Sequence, residues 1–169
     1  MMTSKEALEQ LLPSFQRYYN IKREEVTEPF TAEAEFFTHD EAYFLMKSAK
    51  LAQSESKEFV FFKAMDHLDP QTLKDLDEKA WENGMSRVEI TPLHHSTDVA
   101  LIIMADTIDP EAAKLIKKLK HYKSYCFNFK GWSRYRLIAL ETSTGKITYN
   151  HLGAELKKLI SNIQKQLNK

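Results

Sequence analysis

Hydrophobic positions change period several times along this chain, and each change marks an element. Two stretches are apolar almost without a break, Phe59-Val60-Phe61-Phe62 and Val99-Ala100-Leu101-Ile102-Ile103-Met104-Ala105. Such runs suit strands covered on both faces, which predicts buried strands over 57–65 and 97–105. Each run leads into Asp-Pro, at Asp69-Pro70 and at Asp109-Pro110, and then into a helical pattern. Aspartate at an N-cap accepts a backbone N–H, and proline at the next position needs no partner for one. Helices are therefore predicted over 70–83, with Gly84 as its stop, and over 110–121. The stretch FVFFKAMDHLDP at 59–70 echoes VALIIMADTIDP at 99–110, an offset of 40 residues. This predicts a duplicated strand–turn–helix unit within one sheet.

The remaining pattern fits around that pair. Thr3 and Glu6 have capping-box spacing, with Ala7, Leu8, Leu11 and Leu12 on one side of the helix that follows. Pro13 should end that helix. Alternation of Glu33 and Glu35 with Ala34 and Phe36 predicts a half-buried strand at 32–38. Further strands are expected at 41–47 and 87–91. A hairpin over 124–130 and 134–142 should turn near Gly131, and a short strand follows at 146–149. Leu152, Leu156, Leu159, Ile160 and Ile163 make 151–166 amphipathic. The fold class expected is α/β (α+β): a mixed sheet of about six strands with covering helices. One domain spans 1–169, with a helix in 1–20, the sheet and two helices in 30–150, and a last helix in 151–169.

Bulk composition narrows the class. At 169 residues, 43% hydrophobic and 28% charged, the chain suits one domain with a real core. No apolar run reaches bilayer-spanning length, so no membrane partner is expected. Residues Met1 to Gln10 hold no signal-type apolar stretch, and the lone Cys126 fits a reducing compartment. A cytoplasmic setting is expected.

Charge changes the picture more. Residues 1–110 carry 11 Lys/Arg and 21 Asp/Glu, whereas residues 111–169 carry 13 and 3. Between Glu111 and Glu141 lie eight cations and no acid: Lys114, Lys117, Lys118, Lys120, Lys123, Lys130, Arg134 and Arg136. Tyr122, Tyr125, Phe127, Phe129, Trp132 and Tyr135 are interleaved with them. Single-stranded nucleic-acid surfaces use such a mixture, rings stacking on bases and cations tracking phosphates. That makes Lys117, Lys118, Lys120, Lys123, Lys130, Arg134 and Arg136 candidate anion or nucleic-acid contacts. Strand alternation also puts Tyr125, Phe127 and Phe129 on one face, as a core strand would, with Cys126 a small buried residue of the other face. The opposite charge of the two halves equally suits a homo-oligomer in which acidic surface meets basic.

No Walker A, G-x-G-x-x-G, G-x-S-x-G, H-E-x-x-H or C-x-x-C pattern occurs. No cofactor is expected. His94, His95 and Asp98 form the best metal-like cluster, although adjacent histidines on an extended segment point apart. Asp66 and Asp106 end the two matching strands and would sit side by side at the carboxyl edge, where α/β sheets bind ligands. With a metal, these groups would suit a hydrolase or nuclease. Capping of the following helices explains the same aspartates without chemistry.

Lys47-Ser48-Ala49-Lys50-Leu51, Glu58-Phe59-Val60-Phe61-Phe62 and Thr142-Ser143-Thr144-Gly145-Lys146-Ile147 together resemble an uncharacterised family of short proteins from anaerobic bacteria. The resemblance runs from about Phe30 onward and implies a bacterial, single-domain protein with no assigned activity. The expectation is a non-catalytic binding or self-association module. Nucleic-acid binding through 114–136 is the first alternative, and a metal-dependent hydrolase the second.

Overall fold

The computed structural model describes residues 2–36, 55–90 and 94–169. The strand expected at 41–47 lies outside the described residues. The chain begins with α1 (Ser4–Leu11), started by a complete capping box between Thr3 and Glu6. Pro13 falls in a 3-10 turn (Leu12–Phe15) that ends it. Strands β1 (Tyr19–Lys22) and β2 (Ala32–Phe36) precede the long β3 (Glu55–Leu68). Then come α2 (Pro70–Ser86), β4 (His94–Ile108), α3 (Pro110–Ile116), β5 (Tyr122–Ser124), β6 (Trp132–Glu141) and β7 (Lys146–Tyr149). A 3-10 turn (Leu152–Leu156) leads into α4 (Lys157–Leu167).

Among the described residues, seven strands make one mixed sheet in the order β1-β2-β3-β4-β6-β5, with β7 on the other half of β6. The centre is parallel: β3 pairs β4, and β4 pairs β6. The register sets Phe59 against Val99 and Phe62 against Ile102, which is the offset of the sequence echo. Odd-numbered residues of the central strands, such as Phe61, Leu101 and Leu137, pack beneath α2 and α3 through Leu73, Leu76, Ala80, Ala112 and Ile116. Even-numbered ones, such as Phe62, Ile102 and Ile138, meet Leu8, Leu11, Ile160 and Ile163 of α1 and α4. Cover on both faces is why the central strands read as continuous apolar runs.

Several boundaries differ from expectation. Gly84 lies inside α2: a Cβ there would come within 2.4 Å of Val99 Cγ2, so this glycine permits close helix–sheet approach. Residues 87–90 form no strand; Arg87 is instead the C-cap of α2 and bonds Glu33, Glu35 and Thr27. Asp69 caps α2 through Thr72 N–H at 2.7 Å. Asp109 makes no such bond; its carboxylate pairs with His67 at 3.0 Å. The basic helix stops at Ile116, five residues short of the expected end. Beyond it His121 stacks on Trp81 and bonds Asp77, which draws the chain off the helix toward β5.

The outer edge of β6 is shared. β5 pairs Trp132–Arg134 and β7 pairs Ile138–Glu141. Asn150 fills the gap between them: Oδ1 accepts from Leu137 N and Gly153 N, and Nδ2 donates to Leu119 O and Tyr135 O. This side chain replaces the missing stretch of strand.

Candidate functional site

The first strand of the expected hairpin, 124–130, is instead a protruding tip. β5 ends at Ser124, and residues 125–131 turn before β6 begins at Trp132. Cys126, Phe127 and Asn128 take φ of 49°, 55° and 72°, three consecutive left-handed residues. For a bulky residue such as phenylalanine that backbone is unfavourable. The strand-like alternation therefore gives no core face here. Phe127 is 95% exposed and Phe129 90%, and Tyr122 is 59% exposed. Cys126, expected to be buried, is exposed as well.

The base of the tip is tightly held. Tyr125 N donates to Gly131 O, Lys130 N to Tyr125 O, and Phe129 N to Cys126 O. The Tyr122 hydroxyl donates to Asn128 Oδ1 at 3.1 Å. Tyr125 turns inward, its hydroxyl 2.9 Å from Ser133 Oγ and its ring edge-on to His94. His94 Nδ1 donates to Lys130 O at 2.6 Å, and Nε2 meets the Thr97 hydroxyl at 2.9 Å. These contacts tie the base of the tip to β4 and β6, so the rings project from a hydrogen-bonded support.

The seven candidate cations divide into two groups. Lys117, Lys118, Lys120, Lys123 and Lys130 are exposed and enter none of the ion pairs among the described residues. Lys123 lies over the Tyr125 ring, 5.5 Å from its centre. Arg134 and Arg136 face away, on the α1/α4 side of the sheet. Arg134 grips Asp98 with Nε and Nη2, both at 3.1 Å. Arg136 reaches Asp98 at 2.9 Å, Glu155 at 2.8 Å and Glu58 at 3.3 Å. The Tyr19 hydroxyl donates to Glu58 at 2.6 Å. The Asp98 bond holds the Arg134 guanidinium above its usual pKa. Burial raises the Glu58 carboxyl, while the bonds from Tyr19 and Arg136 pull against that rise.

The other expected sites are not assembled. His94 has both ring nitrogens engaged, and Asp98 belongs to the arginines. The side chain of His95 is not among those described. No group of three His, Cys, Asp or Glu suited to a metal occurs among the described residues. Asp106 accepts from Ser4 N at the start of α1 and from the Thr142 hydroxyl. Asp66 is exposed at the same edge. Asp106 thus anchors a helix N-terminus, a structural duty.

One cluster was missed in the sequence. His121 Nε2 lies 2.8 Å from Asp77, beside a cavity of about 250 Å³ lined by Lys120, Tyr122, Tyr135, Asn150 and His151. The Tyr135 hydroxyl and Asp77 Oδ1 are buried without a well-formed hydrogen bond. Burial first, then the Asp77 charge, pushes the Tyr135 phenol well above its usual pKa. Nothing in the spacing of residues 77, 121 and 135 announces this cluster, because three separate elements supply it.

No curated protein and no solved structure matches the chain. One family does: the Domain of unknown function (DUF8052) matches residues 3–162. With nearly the whole fold inside that match, this chain belongs to the DUF8052 family.

Proposed function

We propose that this protein is a non-catalytic binding module that holds an anionic partner through the tip 122–131 and the lysines beside it. The observation that carries this reading is the coincidence of two exposures. Phe127 and Phe129 are 95% and 90% exposed on a strained, well-braced turn, and Lys123 and Lys130 at that turn, with Lys117, Lys118 and Lys120 earlier in the chain, have no described acid partner. Strain of this kind clusters where a ligand is met. Rings this exposed bring the fold little burial free energy, which an outside partner would supply. The charge of the second half is thereby split: Arg134 and Arg136 serve the fold, and the five lysines serve the surface.

The test compares wild type with the variant carrying Lys120→Glu, Lys123→Glu and Lys130→Glu. Binding to two polyanionic probes, a labelled mixed-sequence oligonucleotide and acidic lipid vesicles, is measured at low and moderate salt. At least one probe should bind wild type, weaken with salt and lose the variant. On an oligonucleotide the salt slope should fall by roughly 0.7–0.9 per lysine removed. Failure of both probes to bind at low salt, or equal binding by the variant, would refute the reading.

Self-association is a second reading, favoured by the open β5 edge, where Tyr122, Lys123 and Ser124 are all exposed. Lys123 at the middle of so short a strand opposes edge-to-edge pairing. Light scattering over a concentration series decides it; a monomer throughout removes it.

A further inference from the structure

The order of chemistry along the hairpin identifies the kind of anionic partner. At the apex stand Phe127 and Phe129, both almost wholly exposed. Behind them come Lys130, whose N–H bonds Tyr125 O, and Lys123, paired across to Ser133. Lys123 is the middle residue of β5 and so stands behind the turn 125–131. Lys120, Lys118 and Lys117 trail farther back, and Tyr122, Tyr125 and Trp132 occupy the same collar as Lys123. Apolar groups therefore lead, while amphipathic rings and cations follow. A bilayer surface presents that order in reverse: acyl chains lie below a phosphate layer that attracts lysine, and tyrosine and tryptophan favour the boundary.

Resting on the polyanion reading above, we infer that the partner is a membrane surface rich in acidic lipid headgroups. The Phe127/Phe129 apex enters the headgroup–acyl boundary, and Lys117, Lys118, Lys120, Lys123 and Lys130 meet the phosphates. Apolar elements at such surfaces sink about 5–10 Å into the headgroup–acyl boundary, which is the part assigned to Phe127 and Phe129. Single-stranded nucleic acid fits less well. Its platforms set rings along a cationic groove, whereas here both fully exposed rings share one convex apex with the cations behind. Tip-to-tip contact with a second copy would bring two sets of five lysines together. The sequence expectation of no membrane partner rested on the length of apolar runs, which governs crossing a bilayer and not lying on one.

Cys126 is the chain's only cysteine, and it is exposed at the apex. An environment-sensitive fluorophore on its thiol, in the full chain, reports insertion directly. Vesicles of phosphatidylcholine alone are compared with vesicles containing phosphatidylglycerol. Co-sedimentation of unlabelled protein with the same vesicles guards against an effect of the label. The expected result is a blue-shifted, brighter signal with phosphatidylglycerol vesicles only, quenched by nitroxide lipids. Affinity should fall about 25-fold when Lys123 and Lys130 are both replaced by glutamine, at about fivefold per surface lysine. Phe127→Ser should cost tenfold or more, on the order of a phenylalanine's burial. Oligonucleotide binding without vesicle binding overturns the lipid assignment but leaves the polyanion reading standing. Absence of both removes the two together. Vesicle binding unchanged in the lysine and Phe127→Ser variants overturns the tip as the site.

Discussion

The two ends of one hairpin treat their cations in opposite ways. Arg134 and Arg136 sit in β6 with side chains 32% and 14% exposed, and each finds carboxylates already placed. Glu58, Asp98 and Arg134 stand opposite one another across β3, β4 and β6, so the acidic half neutralises these arginines inside the sheet. A few residues away, Lys123 and Lys130 flank a tip whose Phe127 and Phe129 rings are almost wholly exposed. Formal charge in a segment therefore says little about charge available to a partner. What separates the two sets is what stands beside them: Arg134 and Arg136 lie next to Asp98, Glu58 and Glu155, whereas Lys123, opposite Ser133, and Lys130, on the turn, meet no carboxylate among the described residues.

Removing Asp98 should break the inner half of this contrast. Asp98→Ala leaves two guanidinium groups partly buried, with only Glu58 and Glu155 beside Arg136. Loss of one member of such a network costs about 3 kcal/mol. Urea denaturation should show it as a lower midpoint with unchanged slope. An effect below about 0.5 kcal/mol would place these arginines with the surface lysines, in the range of ordinary surface changes.

Asn150→Ala tests the brace between the hairpin and the rest of the sheet. It orphans Leu137 N, Gly153 N and two carbonyls that Asn150 now satisfies. Buried groups left unpaired cost about 1–3 kcal/mol, so a loss of roughly 2 kcal/mol is expected by the same denaturation. Thermal melts should agree. A variant as stable as wild type would mean that the edge closes without this side chain.

The legible parts of the fold were those fixed by local pattern. Continuous apolar runs named β3 and β4, and the echo between them matched their register. Asp69 and the Thr3–Glu6 box were visible because a cap is a short-range bond. The strand β1 was missed, because Tyr19–Lys22 is four residues with modest contrast between its faces. The tip was misread for a different reason. Tyr125, Phe127 and Phe129 do alternate, but period two says which side chains would share a face, not that a partner face exists. Gly84 reads as a stop in the sequence because only Val99, in another element, shows why a glycine is needed there. The proposed site was half legible: composition marks the basic-aromatic segment, and three-dimensional pairing alone separates its arginines from its lysines.

Glu58 offers a pH test of the committed end. Burial raises its folded-state pKa above 4.5, the ordinary value expected of the unfolded chain. The folded state then binds the proton more tightly, so the Glu58 contribution is full below pH 4.5 and is lost as pH rises through the raised value. Glu58→Gln removes this term. Wild type should therefore lose stability relative to the variant as pH climbs from about 4 toward neutrality, the sense required by linkage. Paired urea curves across that range measure it. A difference that stays flat would mean the carboxyl titrates alike in both states.

The smallest expected change sits at the free end and says most about it. Phe127 holds φ of 55° and is 95% exposed. Glycine adopts that backbone without strain, whereas a phenylalanine there costs about 1–2 kcal/mol. Against this stands glycine's greater loss of freedom on folding, about 0.5–1 kcal/mol. Phe127→Gly should thus match wild type or exceed it by up to about 1.5 kcal/mol, from the balance of those two terms. The same substitution in a core strand, such as Phe61→Gly beneath α2, removes a fully buried ring and should cost more than about 3 kcal/mol. The pair of denaturation curves sharpens the contrast between the ends. If Phe127→Gly proves destabilising by more than about 1 kcal/mol, beyond the range of surface substitutions, the ring has a duty inside the fold, and its exposure is no longer evidence for a partner outside it.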